Sequence, residues 1–438
     1  MMPLFLTTLL AFAPSAPVQE AARDEVWDLE RMREVASGIQ QEIEVLRGLE
    51  FERPVRIELA DQAAFLAYAR RTMEADGGLE RMRREEEVSK LLGLLPGDLD
   101  LLAVTAEVLV EQVGGFYDPK TETFYVMASL QADLARVVIA HEFTHALDDQ
   151  HFDLDGTKDQ LTGNADAAAA YHAVIEGSGM ELMFEWVRHH MEPAARARML
   201  EAQSALPADA LGEAPPAVWK PLVVLYYQGQ AFLRRQRRAS PVGSSARMSD
   251  IDRALTEPPR STEQVIHPLK YWSADHRDEP RTLEIDASPL PEGTVLRHEN
   301  TLGELYAAMI TTPFDERGGL SLDMGELLGL RFTNDAASGW GGDRYALLER
   351  DDARVLCWET RWDSLEDADE FAAALSDLSV EIEAAKARAA GHDAALSGLH
   401  IERRGSDEVS LVSWTGLPRA EALELAGSVQ VLEKVKGE

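Results

Sequence analysis

The feature that most constrains this chain is an apolar run, residues 137–147, that carries two histidines and a glutamate in its middle. The run reads VVIAHEFTHAL, and its spacing predicts a helix over residues 131–150. Residues four apart lie on one face of a helix, so His141 and His145 can reach the same ion. Burying two imidazoles and a carboxylate in an apolar helix is costly unless a partner satisfies them. The sequence therefore predicts that His141 and His145 bind a metal ion.

Zinc is the ion that best fits this pattern. It accepts imidazole ligands, makes no redox demand, and can keep a fourth position open for a water molecule whose pKa it lowers to about 7. Glu142 lies beside the face that carries the two histidines, where it can take a proton from that water. We therefore expect Zn²⁺ as the cofactor and Glu142 as the general base.

Two residues compete for the third ligand position. His151 occupies the place of the last histidine in the pattern H-E-x-x-H-x-x-G-x-x-H, but the midway glycine, which permits a left-handed exit from the helix, is replaced by Asp148. Glu176 lies on the next predicted helix, residues 165–191, after an apolar stretch. A carboxylate buried there without a cation would be costly, which favours Glu176 and leaves His151 as the alternative.

Composition excludes several classes of partner. The 438 residues include 43 basic and 77 acidic side chains, giving a formal net charge of −34. Such an acidic surface repels phosphate backbones and anionic lipid headgroups, and we therefore expect neither a nucleic-acid partner nor a membrane-surface partner. A hydrophobic content of 45% is that of a folded protein. The single cysteine, Cys357, excludes an intrachain disulfide and a cysteine-based metal site.

The first sixteen residues are typical of an export signal. Residues 4–13 form an apolar run of signal-peptide length, and small residues follow it. The run is too short to span a bilayer, which takes roughly 20 apolar residues. We expect residues 1–16 to be a signal peptide and the mature chain to be exported, periplasmic or extracellular, with no integral membrane segment. An uncleaved, buried N-terminal segment is the alternative.

The pattern of elements predicts an α+β fold in two parts. Residues 17–285 are mainly helical, with a small β-hairpin over residues 115–127, whose second run, 124–127, is a candidate edge strand for an extended peptide substrate. Residues 294–438 show a ββα–ββα order, which predicts a smaller α+β domain. That region holds no cluster of histidines and carboxylates with ligand spacing, so we expect it to carry no catalytic residues.

Several stretches together resemble a known family. They read GFYDP, HEFTHALDDQHFDL, VIEG, YQGQAF, PPRSTEQVIHPLKY and GWGGDRY, in that order, at residues 115–119, 141–154, 174–177, 227–232, 258–271 and 339–345. In this order they resemble secreted bacterial gluzincin-type zinc metallopeptidase-like proteins. The resemblance implies a mainly helical zincin-type catalytic domain, a catalytic zinc with Glu176 as its third ligand, and His151 as part of the DQHFDL stretch. The chain departs from the expected pattern at Gly179, where we expect a larger residue.

Peptide hydrolysis also needs a hydrogen-bond donor for the oxyanion of the tetrahedral intermediate. Gluzincins take it from a Tyr or His in the C-terminal part of the catalytic domain, and the resemblance makes His267, Tyr227 and Tyr271 the candidates. Asp149 can orient His145 or act as a simple charge at the helix end. His172 either lines the cleft or is an ordinary hydrogen-bonded helix histidine.

These expectations combine into an exported zinc peptidase that acts on a peptide or protein substrate. Its competitor, from another class, is a catalytically silent envelope protein that binds or scaffolds and uses zinc only to stabilise its fold. The complete His-Glu-His set favours the peptidase, because loss of Glu142 would be the simplest way to inactivate the site.

Overall fold

The computed structural model describes residues 6–8, 29–75, 77–118, 121–204, 209–238, 244–288, 290–320, 329–390 and 394–434. Most of the predicted signal segment, residues 1–16, lies outside them. Its three described residues form a short strand, β1 (Leu6–Thr8), that pairs with a strand of the first sheet. The described chain is α+β, as predicted. None of its helices is both long and apolar enough to cross a membrane.

In the first part of the chain, the helical unit (residues 29–282), the described residues form thirteen helices and a small sheet. In chain order, its described elements after β1 are α1 (Leu29–Arg47), β2 (Arg56–Ala60), α2 (Gln62–Ala75), α3 (Gly78–Leu91), α4 (Leu101–Gln112), β3 (Val113–Asp118), β4 (Thr123–Met127), α5 (Ala132–Phe152), α6 (Leu154–Gln160), α7 (Ala165–His190), α8 (Pro193–Ser204), α9 (Asp209–Glu213), α10 (Pro216–Leu233), α11 (Met248–Thr256), α12 (Thr262–Ile266) and α13 (Leu269–Trp272).

The predicted hairpin is present as β3 and β4, although two residues of its turn, 119 and 120, lie outside the described ranges. The sheet order is β1-β3-β4-β2, with β2 parallel to β4. The expectation that residues 124–127 form an edge strand is therefore wrong, because β4 is covered on both sides. Local sequence predicted the hairpin, but the pairing with the distant β2 leaves no free edge on β4 for a peptide.

The C-terminal unit (residues 283–434) has the predicted ββα–ββα order over residues 340–426. Its described elements are β5 (Leu283–Asp286), β6 (Thr294–Asn300), α14 (Gly303–Thr311), β7 (Trp340–Arg350), β8 (Ala353–Trp362), α15 (Leu365–Asp377), α16 (Ser379–Ala390), β9 (Ser397–Arg404), β10 (Glu408–Thr415), α17 (Arg419–Ala426) and β11 (Gln430–Glu433). Five strands form one sheet in the order β6-β7-β8-β10-β9, and β5 pairs with β11. The chain thus enters this unit before residue 285.

The two units share one hydrophobic core. A single cluster of buried side chains includes Val223 of α10, Val265 of α12, Leu305 of α14 and Trp358 of β8. Polar contacts reinforce this junction: the side chain of Asn300 on β6 accepts a hydrogen bond from the backbone N–H of Ala165, the first residue of α7, at 2.7 Å. The C-terminal unit is therefore packed into the helical unit rather than joined to it by a free linker.

Candidate metal centre

The histidine motif lies in the middle of α5, a helix buried along most of its length. The helix begins after Gln131, whose side chain accepts hydrogen bonds from two backbone N–H groups of the first turn. His141 and Glu142 are fully buried, and His145 is 1% exposed. The apolar residues around the motif explain this burial, because they pack α5 against other elements on every side.

Glu176 is brought to the same place by α7, which packs directly against α5. Its side chain is 1% exposed. The third helix of this layer, α10, crosses α7 at two glycines: a Cβ on Gly177 would lie 2.5 Å from the backbone of Gly229. Only glycine permits so close an approach, and the crossing places α10 beside the carboxylate.

Three potential ligand atoms converge between α5 and α7. The Nε2 atoms of His141 and His145 are 2.8 Å apart, and Glu176 Oε2 lies 3.2 Å from the first and 3.4 Å from the second. All three lie within 4.8 Å of one another, and all three residues are buried. The structure thus brings together the three residues that the sequence analysis favoured as ligands.

These separations fit a zinc ion. A tetrahedral site with bonds of about 2.0–2.1 Å holds neighbouring ligand atoms about 3.3 Å apart. Gly179 explains why α7 can come so near: a Cβ there would lie 2.6 Å from His141 Cε1 and 2.8 Å from His145 Cε1. The expectation of a larger residue at position 179 therefore does not hold, because a side chain would displace both imidazoles.

The electrostatics favour the protonation states that a metal needs. Burial acts to raise the pKa of Glu176, but His145, His141 and His172 outweigh it and hold that pKa well below its usual range. Burial, with His145 adding to it, lowers the pKa of His141. Metal ligands must be an ionised carboxylate and neutral imidazoles, so both directions suit a cation site.

His172 contacts the other oxygen of the same carboxylate. It lies one turn before Glu176 on α7, with its Nε2 3.2 Å from Glu176 Oε1. The carboxylate is therefore held between the motif histidines at Oε2 and His172 at Oε1. His172 is thus a hydrogen-bonded helix histidine, as one of the two predictions had it, and the carboxylate that it contacts belongs to the candidate centre.

Glu142 follows His141 directly on α5 and is fully buried. Burial raises the pKa of Tyr68, and the negative charges of Asp118, Asp155 and Glu142 add to that effect. Tyr68 donates a hydrogen bond to the backbone carbonyl of Tyr117 on β3. A carboxylate next to His141 on the same helix is suited to exchange protons with a molecule held at the three potential ligand atoms.

The alternative third ligand, His151, lies elsewhere. The helix α5 continues past Asp148 to Phe152, and the left-handed residue that ends it is Asp153, with φ of 49°. His151 is exposed, and its Nε2 lies 2.8 Å from the carbonyl oxygen of Glu50. Asp148 is instead held in a buried ion pair with Arg47, at 2.8 Å.

Asp149 belongs to the end of the helix. Its carboxylate accepts a hydrogen bond from the backbone N–H of Leu154, the first residue of α6, at 3.2 Å. Burial, with Asp155 next in importance, raises the pKa of Asp149 to about 6. The interpretation of Asp149 as a helix-end group therefore accounts for its contact.

The three oxyanion candidates are dispersed. His267 pairs with Glu304 at 2.9 Å and lines a different cleft. Tyr271 donates a hydrogen bond to the carbonyl of Glu257 and packs on Trp272. Tyr227 is buried on α10, and burial raises its pKa. Within the described residues, neither His267 nor Tyr271 is brought to the three ligand atoms.

Tyr226 is the aromatic residue that the sequence analysis missed. Its ring lies 6.2 Å from the ring of His141, tilted by 31°. Consecutive residues on a helix point about 100° apart, so Tyr226 and Tyr227 project in different directions. The sequence signal for this choice was Gly229, because a glycine marks the face of α10 that crosses α7. Tyr226 lies one helical turn before Gly229 and therefore shares that face.

A second group of carboxylates is occupied by a lysine. Glu263, Asp278 and Asp363 also converge within 4.8 Å. The ammonium of Lys270 lies among them, at 2.6, 2.8 and 2.8 Å respectively. This cluster is a structural ion network between the two units, with the lysine in the place that a metal would take.

Comparisons with known proteins add one finding. Residues 293–424 are similar to a domain of unknown function, DUF8575. The match covers most of the C-terminal unit and none of the three potential ligands. No curated protein and no solved structure matches the chain.

Proposed function

We propose that this chain is an exported zinc-dependent peptidase with a zincin-type helical unit. The observation that carries the proposal is the convergence of His141, His145 and Glu176, with Glu142 directly beside His141. Two helix histidines, a glutamate from a second helix and an adjacent carboxylate form the donor set of a hydrolytic zinc site with an open position.

The residues divide the chemistry among them. Zinc bound at this centre would supply a Lewis acid that polarises a carbonyl and lowers the pKa of water. Glu142 takes the proton from the water whose oxygen attacks the scissile carbonyl carbon, and delivers it to the amine nitrogen as the C–N bond breaks. His172 holds the second oxygen of Glu176, so that one oxygen is directed to the two imidazoles.

Tyr226 replaces Tyr227 as the candidate donor to the oxyanion. Its ring lies on α10, the helix packed against α7, at 6.2 Å from the ring of His141. A hydroxyl that donates to the developing oxyanion would stabilise the transition state more than the bound substrate.

The test compares wild-type protein with Glu142→Gln. We expect the wild type to bind about one zinc per chain and to hydrolyse casein, while the variant keeps its zinc and loses at least about a hundredfold in turnover. Zinc is measured by mass spectrometry of metals, and turnover with a fluorescent casein. Glu192→Gln, a substitution of an exposed glutamate, is the matched control and should behave as wild type.

Each outcome discriminates. More than about a tenth of wild-type activity in Glu142→Gln would contradict the general-base role. Zinc without casein hydrolysis in the wild type would favour the binding or scaffolding protein, and a wild type that binds no zinc would overturn the metal centre itself.

A further inference from the structure

A cleft lies away from the candidate metal centre, where the helical unit meets the C-terminal unit. It has a volume of about 430 Å³ and is lined by residues 237–238 after α10, by His267 after α12 and by residues 330–335 of the C-terminal unit. None of the three potential zinc ligands lines it. Clefts of roughly 300–1,000 Å³ are the size of small-ligand sites.

The cleft is basic in a strongly acidic protein. Arg237, Arg238 and Arg331 line it, and Asp335 is the one acidic residue among its described lining residues. His267 is already paired with Glu304, at 2.9 Å. The cleft therefore carries an excess of positive charge, while the whole chain has a net charge of −34.

The three guanidinium groups differ from their neighbours in what they bind. Arg234 and Arg235, a few residues earlier, pair with Glu181 at 2.7 Å and with Asp250 at 2.8 Å. Within the described ranges, Arg237, Arg238 and Arg331 form no ion pair, although the chain has 77 acidic residues and only 43 basic ones. All three side chains are exposed, so their guanidinium groups stay accessible to an anion that enters the cleft.

Arginine also sets the chemistry of the ligand. Its planar guanidinium presents paired N–H donors that match the oxygens of phosphate and carboxylate groups, and such charge-assisted hydrogen bonds are about twice as strong as neutral ones. Three guanidinium groups against one carboxylate leave two positive charges to be balanced. The ligand should therefore carry about two negative charges.

We propose that this cleft binds a small dianionic ligand through Arg237, Arg238 and Arg331. The shared chemistry is an oxyanion, either a phosphate group or a pair of carboxylates. Because one wall belongs to the helical unit and the other to the C-terminal unit, the bound anion would join the two.

The experiment titrates the full-length protein with inorganic phosphate and, separately, with succinate, in 0.15 M NaCl by calorimetry. Both are repeated after metal removal with EDTA and dialysis, because oxyanions also bind metals. We expect saturable binding of one anion per chain for at least one probe, with and without metal. Phosphate alone would assign a phosphate ligand, and succinate alone a dicarboxylate.

The decisive variant is Arg238→Ala/Arg331→Ala, in which both substituted residues are exposed. It should weaken binding at least tenfold and keep the wild-type melting temperature without ligand. The matched control, Arg56→Ala/Arg71→Ala, removes the same charge from exposed sites outside the cleft and should change binding less than twofold. The proposal is overturned if neither probe binds, if the cleft variant binds as the wild type does, or if binding disappears with the metal.

Discussion

The centres of the two units are equally buried but chemically opposite. Where α5 and α7 meet, the buried groups are His141, His145 and Glu176, and they face one another. The C-terminal sheet instead buries large aromatic side chains: the ring of Trp358 packs edge-on against that of Phe371 on α15, with the ring centroids 5.6 Å apart. Burial of aromatic surface stabilises a fold, whereas burial of ionisable groups costs stability unless a partner compensates.

Buried charges also occur in the C-terminal unit, but they are satisfied differently. Asp343 of β7 accepts hydrogen bonds from the backbone N–H groups of Leu302 and Gly303, at 2.8 and 2.7 Å, where α14 begins. This carboxylate binds backbone, as a structural group does. The difference teaches that a buried carboxylate is structural when it binds backbone N–H groups, as Asp343 does, or a lysine of the chain, as Glu263 does with Lys270. Convergence of a carboxylate with two histidine ring nitrogens suggests a ligand site instead.

The largest expected effect follows from the shared core. The sequence alone predicts that a chain truncated near Pro289 would still bind zinc and cleave casein. The structure predicts instead that truncation prevents folding, because α10 and α12 would lose the apolar residues of α14, such as Leu305. It would also remove Ser413, whose hydroxyl donates to the carbonyl of Leu91 on α3.

Circular dichroism melting of the truncated chain checks this prediction. A chain that ends at Lys434 keeps every described element and serves as the control. Cooperative melting and zinc binding by the chain truncated at Pro289 would show that the helical unit folds independently. The two buried centres would then belong to two separate domains.

The next effect sharpens the assignment of the ligand. We expect Glu176→Ala to lower zinc affinity by at least about tenfold, because the loss of even a supporting residue around a metal costs 10–100-fold. We expect His151→Ala to keep about one zinc per chain, since His151 is exposed and contacts the carbonyl of Glu50. Competition with a zinc-sensing dye measures both affinities. Loss of metal from His151→Ala, with retention in Glu176→Ala, would reverse the assignment.

Much of the fold was predictable because its signals are local. The apolar run around His141 predicts α5, and its stretch after His145 predicts the continuation past Asp148 that the structure has. The turn at Asp351 predicts the β7–β8 hairpin, and Asp351 has the positive φ, 53°, that this turn requires. Periodicity and turn residues act over a few positions, so one sequence suffices to locate them.

The remainder depended on contacts between distant residues. The pairing of β2 with β4 crosses more than sixty positions, so the interior place of residues 124–127 had no local signal. Nothing in the sequence around His267 indicates that it pairs with Glu304, which lies 37 positions later. The choice between Tyr226 and Tyr227 depends on the rotation of α10, which is set by its crossing with α7 at Gly229.

The smallest effect concerns Lys386 of the C-terminal unit. This lysine is an exception to the comparison, because it is a buried charge that binds neutral oxygen atoms. It is 3% exposed on α16, and its ammonium donates to the carbonyl of Gly398 and to the hydroxyl of Ser413. Burial lowers the pKa of Lys386 from 10.5 to about 8. Because the unfolded chain binds this proton more tightly, the cost of the buried charge is fully present below about pH 8. That cost falls as the pH rises from 8 towards 10.5.

The free energy of unfolding of the wild type should therefore rise between pH 7 and pH 9.5 by about 2 kcal/mol relative to Lys386→Met, which has no proton to lose. Urea unfolding at both pH values measures this difference of differences. Lys434→Met, at an exposed lysine, is the matched control and should follow the wild type. Equal pH dependence in wild type and Lys386→Met would mean that hydrogen bonds to Gly398 and Ser413 compensate the buried ammonium completely. The C-terminal unit would then hold this buried charge at no cost in stability.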